Sequence, residues 1–555
     1  MATNNNIPTL HRKEWQMMTP APVTTAAGMF VIADPRSVSN EAMYVTSATV
    51  QYLYYHDEDS FAQIPSGALA GTFGAGACGT RQPWSITYTA NGGSTTTITV
   101  AAATHNLCGL VKNKVVEFLS GTAANIGLRR KIIQIKTVDA GTGTITLTLD
   151  RAVPSAVASS DTFRVASGRF YVMSAGTTAA GSWKVFDVGT LAWQSNLSTT
   201  NLPATWATDG KAVSTANFYN YDDAGTATAG STTSLTDSSK NWTVNGYAGY
   251  WLICIDGTGE GQFVQITSNT ATALSFSSVT TGFDATSVYE IRGQRPFATG
   301  VATAGASTTL TNSAKAWTTN QWTNYQVKIL SGTGIGQIRT IASNTGTVLT
   351  VSSAWTTNPD TTSVYVIHGN EDYIYLAGNA AVTMYRYSIS GNTWTVMAPT
   401  VARSAAPSTG MSMDWIDNTE QDSWYNETDF REGRYIYSFR GGAGGVLDRF
   451  DIAGGTAGAG AWVQVTYVAT ETFTTGSAMF ADTRYIYIRK DATNRFFKYS
   501  VTGNYIEPLS VNMYTDSTAI LGQKMWVFAL DRNKTIKWVY SLQNTGTALH
   551  RLMLI

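Results

Sequence analysis

The sequence predicts an all-β fold built from two kinds of repeat. Three observations carry that reading: the composition, a short cassette that recurs, and a longer unit whose spacing becomes regular once the cassettes are removed. Charged residues fill 13% of the 555 positions, about half the roughly 25% usual for soluble domains. Aromatics reach 11%, with 27 Tyr and 16 Trp. Thr, Tyr and Trp fit pleated, half-buried surfaces, and Gly and Asn fit turns. Lys- and Glu-rich amphipathic helices are largely missing.

The cassette appears twice almost without gaps, as STTSLTDSSKNW…DGTGEGQFVQITSNT…TSVYEIRG and STTLTNSAKAW…SGTGIGQIRTIASNT…TSVYVIHG. Trp242 matches Trp317, Gly257 matches Gly332 and Asn269 matches Asn344, each 75 positions apart. A third, weaker copy runs VVEFLSGTAANIGLRRKIIQI…GTITLTLD…DTFRVASG, with two extra residues after Ser120-Gly121-Thr122. Their alternating apolar positions predict short antiparallel strands joined by Gly-rich turns.

The longer unit is marked by Tyr44, Tyr171, Tyr373, Tyr435, Tyr485 and Trp526, with gaps of 127, 202, 62, 50 and 41 residues. Removing one cassette of about 76 residues from the first gap and two from the second leaves about 50 in each, inside the 40–50-residue period of propeller blades. Six such units, each of four strands, predict a six-bladed β-propeller. All three cassettes then fall between the first and second strands of a blade, so they emerge on one face. The expected segments are an extended N-terminal arm at 1–27, blade 1 and the start of blade 2 at 28–91, and a module at 92–168. Blade 2 and the start of blade 3 follow at 169–227, modules at 228–293 and 303–369, and the remaining blades at 370–555. The last blade is expected to draw all its strands from the C-terminus and to close the ring by side-chain packing.

Paired glycines after the second strand, an aromatic in the third and Trp in the fourth (Gly441-Gly442, Phe450, Trp462) resemble the kelch repeat. The fold class expected is therefore an all-β, six-bladed kelch-like β-propeller with three small β-sandwich or barrel-like modules inserted in loops on one face. The W…SGTGxGQxRxIxSNT cassette resembles modules of tail, fibre and other virion proteins of tailed bacteriophages. That resemblance implies a structural component of a virion, made in the host cytoplasm and associated with the tail or its connector. It implies other virion proteins as partners and homo-oligomerisation within the particle. Head decoration or a fibre is the alternative location.

Several function classes are not expected. Lys plus Arg equals Asp plus Glu at 37 each, without the basic excess of a nucleic-acid binder. No apolar run approaches the length of a membrane span, and the first residues lack the apolar stretch of a signal peptide. The three cysteines, Cys78, Cys108 and Cys254, form no CxxC and are placed outside the blade strands or within the cassettes. The five histidines share no metal-ligand spacing, and no GxSxG, HExxH or P-loop occurs. No enzyme activity, cofactor or metal is expected. The Gly-rich turns lack the Lys-Ser/Thr and following helix that a phosphate loop needs, and read as β-turns.

Candidate docking residues are Trp15, Met17 and Met18, on an arm suited to lie across a neighbouring subunit. Asp422 and Glu427, in the acidic stretch from Asp417 to Asp429, suit a basic partner. A second reading makes the modules lectin-like heads for a host-surface glycan, with Trp322 and Trp355 as stacking platforms. A third, hydrolysis of a surface polysaccharide, requires paired carboxylates across blades.

Overall fold

In the computed structural model, residues 16–22, 30–32, 43–46, 50–55, 59–63, 77–101, 114–136, 141–174, 181–187, 192–194, 197–206, 210–216, 221–293, 295–378, 381–408, 411–415, 434–441, 446–465, 478–481, 485–490, 495–501, 503–509, 525–529, 537–542 and 547–554 are described, with a few isolated positions between them. Among the described residues the regular structure is β, save two 3-10 turns. The described residues form six four-stranded antiparallel sheets, three seven-stranded ones and one two-stranded ribbon.

The four-stranded sheets have a propeller-like arrangement. Their first strands are Phe30–Ile32, Cys78–Gln82, Gly210–Ser214, Ser412–Trp415, Ala478–Ala481 and Met525–Ala529. Each contacts the next, and Met525–Ala529 also contacts Phe30–Ile32. Small residues such as Gly79, Ala212 and Ala478 allow this crowding. Cys78–Gln82 and Gly210–Ser214 are buried at every position. The outermost strands are half exposed, as in Thr393–Val396. Between third and fourth strands the aromatic signature becomes direct cross-strand pairing: Phe186 faces Trp193, Tyr387 faces Trp394 and Phe450 faces Trp462. Their ring centroids lie 5.0–5.1 Å apart. In the fifth sheet Tyr499 faces Ile506, and the neighbouring Tyr505 is exposed.

Three expectations are corrected here. Trp526 lies in a first strand, Met525–Ala529, whereas Tyr44, Tyr171, Tyr373, Tyr435 and Tyr485 lie in second strands. The last sheet therefore has only three C-terminal strands. Its fourth is Gln16–Met17, which pairs with Leu549–Leu554. The Met18 amide donates to Leu549 at 2.9 Å and the Ala21 amide to Thr547 at 2.7 Å. The last sheet is thus completed by an N-terminal strand, which covers an otherwise open sheet edge. Cys78 opens the first strand of the second sheet rather than lying outside the sheets.

The seven-stranded sheets share one strand order: first, seventh, fourth, fifth, sixth, third, second. They span Thr87–Val165, Asp223–Arg292 and Ala298–His368, and are called modules 1, 2 and 3. Module 1 lies between the first and second strands of the second sheet, and modules 2 and 3 lie in tandem between those of the third. The fifth strand of each module carries a register shift, at Ile132/Gln134, Ile266/Ser268 and Ile341/Ser343. Such bulges bend a strand, so one strand serves both halves of the sheet. The repeated Asn ties down the loop beside it. Asn344 accepts from the Trp322 amide and donates to Thr318 and Thr345, each at 2.8 Å. Asn269 does the same with Tyr247, Thr243 and Thr270.

Candidate functional site

The three modules converge, and their Gly-rich turns meet. Gly127 and Gly336 adopt φ values of +79° and +86°, in the left-handed region that favours glycine. A β-carbon on either would collide with main chain of the opposing turn. The module 2 turn joins through the Ser331 hydroxyl, which donates to the Ile255 carbonyl, and through Thr299 Oγ1, which donates to Gly261 at 2.8 Å.

Around these contacts lies a buried charge network. Glu117 of module 1 accepts from Arg129 at 3.2 Å, from Arg164 at 2.6 Å and from Lys328 of module 3 at 2.9 Å. Glu371, just before the second strand of the third sheet, accepts from Arg129 at 2.8 Å and from Trp84 Nε1 at 2.9 Å. The Arg129 and Arg164 guanidinium groups stack over the Trp84 ring at 4.6 and 4.4 Å. Burial opposes ionisation of Glu117, but Arg164, Lys328 and Arg129 hold its carboxyl well below the usual range. Burial, then Arg129, pushes Lys328 down to about 8 against the pull of Glu117. Burial pushes the adjacent His368 down to about 4.

A second network joins modules 1 and 2. Glu290 pairs with Arg151 at 2.9 Å and with Arg292 at 2.6 Å. Burial would raise the Glu290 carboxyl, but Arg292 and Arg151 bring it down to about 2. Tyr221 donates to both Asp150 oxygens, at 3.0 and 2.8 Å, and the Arg151 guanidinium lies 4.9 Å over its ring. Module 3 is also tied to the fourth sheet's connection: Asn324 Nδ2 donates to Ile452 at 2.6 Å and to Gly458 at 2.9 Å. The arrangement can hold three modules in fixed register. Among the described residues no group of three or more His, Cys, Asp or Glu is placed to hold a metal ion, and no helix is long and apolar enough to cross a membrane.

The sequence-derived candidates lie elsewhere. Trp15, Asp422 and Glu427 fall outside the described residues. Met17 is exposed and Met18 buried, on a strand that docks on its own chain, which corrects the assignment of this part of the arm to a neighbour. Trp322 and Trp355 are each only 5% exposed. Trp322 packs edge-on to Tyr325 at 5.4 Å, and the Arg339 guanidinium lies 5.5 Å over Trp355. Both rings belong to the core, which corrects their assignment as sugar platforms. None of the charged junction residues was singled out from the sequence.

No family model matches the chain, and no curated protein matches it. Among solved structures, it is similar to YjhT at 12% identity and a TM-score of 0.21, covering 33% of this chain and 62% of that one. The match thus spans about three fifths of that protein. An auxiliary nutrient binding protein from Bacteroides thetaiotaomicron aligns at 9% identity over 86% of this chain and 97% of that one, with a TM-score of 0.21. A GH74 xyloglucanase from Xanthomonas campestris aligns at 9% identity over 98% and 87%, with a TM-score of 0.21.

Proposed function

We propose that this protein is a structural component of a tailed-phage virion, acting through its tail or connector. In this reading the six four-stranded sheets are six blades of one ring, closed by the N-terminal strand, and the three modules form a single docking mass on one face. The succession of first-strand contacts supports the ring. The observation that carries the docking role is the destination of the buried charge. Glu117, Glu371, Glu290, Arg129, Arg151 and Lys328 are spent on holding modules to each other and to the third sheet. Ion-paired networks of this kind specify geometry more than they add net stability, which suits a part that must present a fixed shape to neighbours. The likeness of the cassette to modules of phage virion proteins supports the location.

The test is quantitative mass spectrometry of purified particles from the source culture. The expected result is this chain at fixed stoichiometry to the major structural proteins, retained after high-salt washing. Its recovery only in the particle-free lysate overturns the proposal.

A further inference from the structure

We propose that the cleft at the three-module junction binds a small oxyanion of phosphate or sulfate size. The cleft has a volume of about 150 Å³. Module 1 contributes Arg129, Arg130 and Arg151 to its wall, module 2 Arg292 and module 3 Lys328. Against these five cations the wall holds two carboxylates, Glu290 and the exposed Asp256.

Most of the positive charge is already answered. Arg129 and Lys328 share Glu117, and Arg151 and Arg292 share Glu290. Arg130 is the exception. Its guanidinium donates to the carbonyls of Ala152, at 3.1 and 2.9 Å, and of Arg129, at 2.7 Å, and it forms no ion pair among the described residues. Burial, and then the nearby Arg151, disfavour its charged form, against the weaker pull of Tyr221, Asp150 and Glu290. Arg151 Nε, itself buried, makes no hydrogen bond and stands 3.7 Å from the nearest Asp150 oxygen.

The repeat supplies an internal comparison. Arg339 holds the Arg130 position in module 3 and makes the same carbonyl contacts, to Ala354 and Ile338 at 2.9 Å each. Bracing its own module is therefore the shared role. Arg130 differs in sharing the cleft wall with a second guanidinium of its own module, Arg151. A bound oxyanion would offset that repulsion and accept charge-assisted hydrogen bonds from Arg130 and Arg151.

The test is calorimetric titration of the full chain with inorganic phosphate at constant ionic strength, with chloride as control. One saturable phosphate site is expected, with affinity falling at least about tenfold in Arg130→Gln. Ile335 is exposed and lines the cleft, so Ile335→Glu places a competing carboxylate at the mouth without disturbing the core. It is expected to weaken phosphate at least about as much, while Ile335→Gln leaves affinity unchanged. If Arg130→Gln does not fold, the Ile335 pair decides. Absence of saturable binding beyond chloride, or equal affinity in Ile335→Glu and the wild type, overturns the proposal.

Discussion

Glu117 and Lys328 occupy the same position in two copies of one repeat and meet in a buried ion pair at 2.9 Å. The turns beside them behave likewise, since Gly127 and Gly336 are equivalent positions that pack on each other. Modules 1 and 3 therefore meet through the same surface, as subunits do in an isologous dimer. What differs between the copies is the sign of the charge. The module 2 position is Ile253, which carries no charge.

Loss of the two partners is unequal. Glu117→Gln leaves Arg129, Arg164 and Lys328 short of their shared carboxylate and is expected to cost about 3–5 kcal/mol. Lys328→Met leaves Glu117 with two arginines and is expected to cost about 1 kcal/mol, because an apolar group of similar volume replaces a buried ion. Denaturant midpoints of the two variants check the order.

Gly336→Ala is expected to separate modules 1 and 3. The substitution imposes a φ near +86° on a side chain and directs its β-carbon at the Ile126 carbonyl. Faster hydrogen exchange across 115–135 and 326–344, with the four-stranded sheets unchanged, is the expected signature.

Asn344→Ala leaves the Trp322 amide and two carbonyls without partners. A loss of about 1–3 kcal/mol is expected, chiefly from the buried Trp322 amide. Asn269→Ala should match it, because its bonds are the same.

The cassettes were legible because their recurring residues are those that any copy of the module needs. Asn269 and Asn344 fix a loop, and Gly257 and Gly332 adopt φ of +74° and +73°. Sheet periodicity was legible for the same reason, through pairs such as Phe450 and Trp462. The junction was not legible. It uses positions where the copies differ, such as Glu117 and Lys328, and alignment discards those as noise. The closing strand escaped notice because Gln16–Met17 is two residues long and pairs with a segment more than 500 residues away. That omission also slipped the frame at Trp526 by one strand.

Acid should weaken the fold in two steps. His368 and His550, both pushed down to about 4 by burial, stay neutral in the folded chain while the unfolded chain takes up protons below about 6.5. Their contribution is thus fully present above pH 6.5 and is lost as pH falls toward 4. Glu290, held near 2, adds a further loss below about pH 4.5. Thermal midpoints across pH 7.5 to 3.5 should decline from 6.5, and His368→Gln should flatten the first step.

Removal of residues 1–22 should uncover the edge of Leu549–Leu554 and lower the thermal midpoint of the isolated chain at any concentration. A truncated chain of unchanged stability would mean that the strand contributes nothing to closure.

The most direct measurement is an electron cryomicroscopy map of the purified full chain. The account predicts one ring of six sheets with a single three-part lobe on one face, its modules touching through the turns at 120–128, 256–262 and 331–337. Three separate lobes, or lobes on both faces of the ring, would contradict it.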